Sequence, residues 1–185
     1  MLDRLLPRAA QENLLRRIRQ AAGGVLTSLH GSSPSLVAAL LQRDHPVQTL
    51  VVAPKFDDAE ELAQDLATLL PDTPVHLFPE FEILPYEKRS PYKGITGQQV
   101  EVLHHLLSGD SCIVATSAKG LKWKVQPPEE ILDYTLRFAV GEEIDYDGVL
   151  ARFGEMGYYA VPRVESPGDF ARKGGILDVF SVSYE

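Results

Sequence analysis

Cysteine is nearly missing from this sequence: Cys112 is the only one in 185 residues. A single thiol rules out an internal disulfide framework and fits a reducing cytoplasm. It lies in the apolar run Cys112-Ile113-Val114-Ala115, where a buried strand residue is expected rather than a nucleophile. Long apolar stretches are lacking too. Nothing approaches the roughly 20 residues that span a bilayer. Residues 1–20 hold five arginines together with Asp3 and Glu12, without the apolar stretch and cleavage site of a signal peptide. They predict a short amphipathic helix with Leu14, Leu15 and Ile18 on one face. Positive charge is in deficit, with 18 lysines and arginines against 26 acids and a net charge of −8. Phosphate backbones are gripped by basic surfaces, so nucleic acid is not expected as the main partner, although a local basic patch is compatible with this balance.

The size and a 44% hydrophobic content suit one or two domains with a real core. Strand and helix signals alternate over the first ~120 residues. Strands are predicted at 24–29, 48–53, 74–78 and 110–116, and helices at 36–42, 57–70 and 98–107, with 82–97 irregular. In the helix at 57–70, Asp57 and Glu60 have the spacing of a capping box, and Pro71 ends it. This order predicts a parallel, doubly wound α/β sheet. The pattern changes at Gln126-Pro127-Pro128, so we expect one domain over 1–125 and a small α+β domain over 126–185. An acidic stretch opens the second. Residues 135–140 alternate like a half-exposed strand, and 145–156 predict a helix with Phe153 and Met156 inward and Gly157 as its stop. Residues 158–164, 168–172 and 176–180 look like antiparallel strands. The chain stops directly after a strand, and a piece of something longer is expected.

A phosphate-binding loop is absent where the context would suit one. Such a loop needs glycines whose amides cradle phosphates, a lysine for the β/γ-phosphates and a Ser/Thr for Mg²⁺. The turn after the first predicted strand reads His30-Gly31-Ser32-Ser33-Pro34-Ser35. Pro34 stands where the lysine belongs and offers neither charge nor N–H. A degenerate P-loop and an ordinary βα turn both fit, and neither predicts ATPase activity. His104-His105 are adjacent, so on a helix they point about 100° apart and do not share a metal ion. No Gly-x-Ser-x-Gly elbow places a serine nucleophile. Within 163–180, Pro167-Gly168 signals a turn and Arg172-Lys173 precede Gly174-Gly175. Asp178 falls in an apolar strand, where a buried carboxylate needs a cationic partner. By spacing alone, a plain hairpin with solvated charges is favoured over a binding site.

Gly157-Tyr158, Val164-Glu165, Pro167-Gly168, Phe170 and the run Gly174-Gly175-Ile176-Leu177-Asp178-Val179-Phe180 resemble the second domain of the bacterial transcription-repair coupling factors (Mfd). The related domain of the excision-repair protein UvrB is similar at greater distance. Leu84-Pro85-Tyr86-Glu87, Ser90-Pro91, Leu50-Val51-Val52-Ala53-Pro54 and Val140-Gly141-Glu142-Glu143-Ile144 agree singly but less specifically, and the match runs over roughly 10–185. The resemblance implies a helicase-like sheet with a degenerate P-loop at Gly31, Ser32, Pro34 and Ser35, followed by a UvrA-binding-like domain. It implies no enzyme activity, cofactor or metal in this chain; ATP serves a downstream motor of the whole protein. Its partners would be UvrA directly, and RNA polymerase and DNA through downstream domains, all in the cytoplasm. The stretch 85–97 is too short for the DNA-clamping hairpin of UvrB. Family contacts to UvrA include an arginine before the Gly-Gly. Here that position holds Lys173, with Arg172 one residue earlier and Arg163 as a further candidate. Lysine is a point charge where arginine is a bidentate fork. A UvrB-like ATP-dependent helicase fragment, or a DNA-binding module without chemistry, are the alternative readings.

Overall fold

A computed structural model describes residues 2–20, 23–81 and 93–182. The chain divides into two compact units, 1–80 with 108–123, and 81–107 with 124–185.

The first unit is an α/β layer. Its described strands are β1 (Thr49–Ala53), β2 (Val75–Leu77) and β3 (Ile113–Ser117), in the order β1-β3-β2 and all parallel. All five residues of β3 are buried. That continuous burial is what a central parallel strand covered on both faces requires, and it accounts for the run Ile113-Val114-Ala115-Thr116-Ser117. Cys112, one residue earlier, is buried as expected. Burial, with the Asp110 carboxylate nearby, pushes its thiol up. The helices are α1 (Leu2–Leu5), α2 (Arg8–Arg19), α3 (Ser33–Asp44) and α4 (Phe56–Leu69). Pro7 divides the expected N-terminal helix into α1 and α2. Leu15, Leu40, Leu66, Leu69 and Ile113 form the centre of the core, with Leu2 beside them.

Polar contacts hold this layer in register. Gln42 is buried, and its amide donates to the Val47 carbonyl at 2.8 Å and the Ser111 hydroxyl at 2.9 Å while accepting from Thr49. One side chain thereby joins α3 to the starts of β1 and β3. Burial alone would raise the Glu80 carboxyl, but hydrogen bonds from Ser117 and from Lys119 (3.0 Å) outweigh it and hold Glu80 below its usual value.

Three expectations need correction here. Residues 24–29 form no strand: they are exposed and have no ladder partner, and Ser28 interrupts them at φ 62°, a left-handed value that a strand does not accommodate. Asp57 caps no helix. α4 begins a residue earlier, after Lys55 and without a side-chain cap, so Asp57 and Asp58 sit inside its first turn, where acids favour the positive helix end. The irregular stretch ends sooner than expected, because α5 starts at Lys93 (Lys93–Ser108); residues 82–92, including the resembling Leu84-Pro85-Tyr86-Glu87, lie outside the described residues.

The second unit contains α5, α6 (Pro128–Asp133), α7 (Tyr146–Glu155) and the strands β4 (Tyr159–Ala160), β5 (Asp169–Lys173) and β6 (Ile176–Val179), ordered β4-β5-β6. The Asp145 carboxylate caps α7 by accepting from the Gly148 amide at 3.1 Å, and Gly157 ends the helix turn at φ +79°, as expected. β5 and β6 are antiparallel, joined by the two residues Gly174-Gly175; Gly174 at φ +62° supplies the left-handed backbone such a turn needs. β4 runs parallel to β5, not antiparallel. The loop between them carries the chain back so that the Tyr159 amide reaches the Gly168 carbonyl (2.8 Å) and the Val161 amide that of Phe170 (2.9 Å). Residues 135–140 are not a strand either. Their alternation has no sheet to join, and Phe138 and Val140 face solvent.

Replacing Gln42 with the similarly sized leucine strands the Thr49 hydroxyl and leaves the Val47 carbonyl only the long 3.4 Å bond from the Ser111 hydroxyl, and a stability loss of about 1–3 kcal/mol in urea unfolding is expected. A midpoint unchanged from the parent chain refutes that role. Glu80 titrates lower in the folded chain than its usual 4.5, so its contribution is full above that value and fades as pH falls through the depressed one. Carbon-detected NMR should place the Glu80 midpoint below the glutamates of the unfolded chain, and Ser117→Ala should raise it.

Candidate functional site

Two places, one in each unit, bring together the residues singled out in the sequence. The first is a cavity of about 620 Å³ at the carboxyl end of β1. That end of a parallel sheet is where α/β folds bind ligands. Gly31, Ser32, Pro34 and Ser35 line it, so the turn chosen from the sequence does face a cavity. Two of the turn's hydroxyls are already engaged. The Ser33 hydroxyl donates to the His30 carbonyl (2.6 Å) and accepts from the His30 amide (2.7 Å). Ser35 is 1% exposed and donates to Asp65 at 2.9 Å.

The opposite wall is α4, which presents Asp58, Glu61 and Asp65. Their spacing of three and four residues sets them on one helical face. A carboxylate and a phosphate charge about 5 Å apart repel by about 3 kcal/mol at an effective dielectric near 20. Among the described residues, no lysine or arginine lines the cavity. The sequence reading missed this acidic wall: the 58-61-65 spacing marks one helical face, but not that this face turns toward Gly31.

The second place is the β5–β6 hairpin. Phe170 is buried and stacks on Phe153 of α7 with ring centres 5.4 Å apart. Successive strand residues alternate faces, and the register from Phe170–Val179 to Lys173–Ile176 is regular, without a bulge. Arg172 therefore shares the α7 side with Phe170. It lies over the Tyr146 ring (5.2 Å to the centroid) and 3.9 Å from the Asp147 carboxylate. Lys173 is on the other face, exposed, with no ion pair among the described residues. The same face carries Ile176, 65% exposed, and Tyr159, 61% exposed, the latter through its pairing with Asp169. Asp178 is on this face as well, exposed opposite Ala171. Its carboxylate is solvated, and the cationic partner expected for it is unnecessary. Arg163 is exposed in the bend between β4 and β5, off the sheet itself. Of the three candidate cations, then, Lys173 and Arg172 are sequence neighbours on opposite faces, and Arg163 stands apart on the loop. Sequence reasoning did not single out Tyr159 or Ile176, because exposure of an apolar residue depends on which face the helix covers.

Comparison with known proteins bears on this second place. Residues 136–185 match the model of the UvrB interaction domain. The chain is 34% identical over 181 residues to the transcription-repair-coupling factor of Mycobacterium bovis, covering 92% of this chain and 14% of that protein. The factor of Myxococcus xanthus is 33% identical over 96% of this chain, and that of Bacillus subtilis 26% over 87%, again covering 14% of each relative. The chain thus spans about a seventh of the length of the relatives it matches. Its residues 136–185 are similar to the UvrB interaction domain, and nearly all of its length aligns with transcription-repair-coupling factors at about a third identity or less.

Proposed function

We propose that this chain is a non-catalytic docking module of a transcription-repair coupling factor, and that its second unit recruits the excision-repair protein UvrA to a stalled RNA polymerase. The observation that carries this reading is the outer face of the hairpin. Lys173 projects there beside exposed Ile176, its cross-strand partner, and exposed Tyr159 lies further along the same face, opposite Asp169. Exposed Asp178 shares the face. On docking, the exposed apolar side chain beside the cation excludes water and strengthens its charge pairing. A carboxylate of UvrA is its complement. Contacts to RNA polymerase and DNA fall to other parts of the full-length protein, and the whole acts in the cytoplasm.

The first unit supports the same reading from the opposite direction. Gly31, Ser32, Pro34 and Ser35 keep the outline of a nucleotide cavity, but Asp58, Glu61 and Asp65 give it the wrong charge for a triphosphate. We read it as a degenerate helicase-like site that needs no ATP.

Truncating one partner of a buried interfacial charge pair typically loses about 2–5 kcal/mol. Lys173→Ala is therefore expected to weaken UvrA binding at least about tenfold, with an unchanged circular dichroism spectrum. Lys173→Glu, which repels the partner carboxylate, should abolish capture. Undiminished binding by Lys173→Glu, measured by calorimetry or pull-down, rejects the site. For the first unit, titration with ATP and Mg²⁺ is expected to give no saturable heat up to millimolar concentration. Saturable binding there, or hydrolysis, favours a UvrB-like helicase fragment instead.

A further inference from the structure

We propose that Tyr146 is the positioning residue of this docking face, and that Arg172 acts with it as a latch on the inner side of the hairpin rather than as a contact to the partner. The inference rests on the docking reading above. Two contacts carry it. The Tyr146 hydroxyl lies 3.2 Å from the Ile176 carbonyl and 3.4 Å from that of Gly174, so its one proton bridges the two ends of the turn. The Tyr146 ring also lies under the Arg172 guanidinium, at 5.2 Å, with Asp147 at 3.9 Å on its flank.

The turn needs such a hold. It consists of Gly174-Gly175, the two residues with the most backbone freedom to lose, and a Cβ at either would meet nothing within 4 Å. No packing of its own fixes it. Tyr146 is fixed, by contrast. It is the first residue of α7, whose preceding residue, Asp145, caps the helix onto the Gly148 amide at 3.1 Å. A methyl at Gly148 would come within 2.4 Å of that carboxylate, so the cap sits tightly against the first turn. Further along, Phe153 locks α7 to β5 through Phe170. Tyr146 thus transmits the position of a packed helix to a glycine turn, and the turn sets where the Lys173 ammonium and Ile176 stand.

Two readouts test this. Backbone amide exchange at Gly174, Gly175 and Ile176 reports the latch in the chain alone. Affinity for purified UvrA reports its consequence. Tyr146→Phe keeps the ring beneath Arg172 and removes only the hydroxyl. It should speed exchange at the turn by about threefold to tenfold, the loss of one net hydrogen bond, and weaken UvrA binding, while amides of β3 exchange as before. Arg172→Ala should speed exchange at the turn as well, and Arg172→Lys, which keeps a cation over the ring, should restore much of the parent rate. The latch is refuted if Tyr146→Phe leaves turn exchange unchanged. Arg172 is a direct contact, against the proposal, if Arg172→Ala weakens UvrA binding without altering exchange in the free chain. If the parent chain fails to bind UvrA, the docking reading falls, and the exchange data still decide for or against the latch.

Discussion

The stacking of Phe153 on Phe170 decides what the second unit shows to its surroundings. A strand has two faces, and once Phe170 is committed to α7, every other residue of β5 is assigned. Arg172 must join Phe170 on the helix side. Lys173, one peptide unit on, must face away. Pairing then carries the assignment across the sheet, placing Ile176 and Asp178 outward with Lys173, and Tyr159 outward through Asp169. Two adjacent cations, equivalent by composition, thereby receive opposite faces from a single aromatic contact. Slipping β6 by one residue would turn Ile176 inward and Leu177 outward, so the outer face is a property of the register and not of the residue list.

The first unit shows the same logic working through charge. Its cavity occupies the position at which parallel α/β sheets bind ligands, and the turn at Gly31 borders it. Shape alone would recommend it to a nucleotide. Its electrostatics argue the other way, because Asp58, Glu61 and Asp65 face it from one side of α4 and Ser35 is tied to Asp65. The cavity is held open by elements that the core needs anyway. α3 and α4 supply Leu40 and Leu66 to the same hydrophobic cluster that stabilises the sheet, and removing either helix to close the cavity would remove the core.

How much was legible in the sequence follows from how local each cause is. The central strand was readable because burial on both faces leaves an uninterrupted apolar signature at 113–115, and α4 because Ala59, Leu62, Leu66 and Leu69 recur on one face over about three turns. The supposed strand at 24–29 was misread because a strand is a pairing, and pairing is not written in one segment; the left-handed Ser28 breaks a run whose composition is otherwise suitable. Residues 135–140 failed for the same reason, an alternation with no neighbour. The direction of β4 was missed because it depends on how the loop after Ala160 returns, not on the strand itself. At the candidate sites, the turn at Gly31 and the cations at 172–173 were visible as motifs. The acidic wall and the reach of Tyr146 to a turn 28 residues away were not, since both require the helices to be placed first.

The presence of lysine at the tip of this hairpin makes the support beneath it more consequential. An arginine brings a planar fork that selects its own geometry against a carboxylate. An ammonium on a four-carbon stem selects distance and little else, so its precision must be borrowed from the backbone that carries it. A glycine-glycine turn supplies none unaided. Holding that turn from the packed N-terminus of α7 reduces the freedom lost when a partner docks, and preorganisation of this kind raises affinity without adding a contact. The same arithmetic explains why Arg172, the better carboxylate binder of the pair, is more useful on the inner face: stacked on Tyr146 it steadies the turn in the free protein, before any partner arrives.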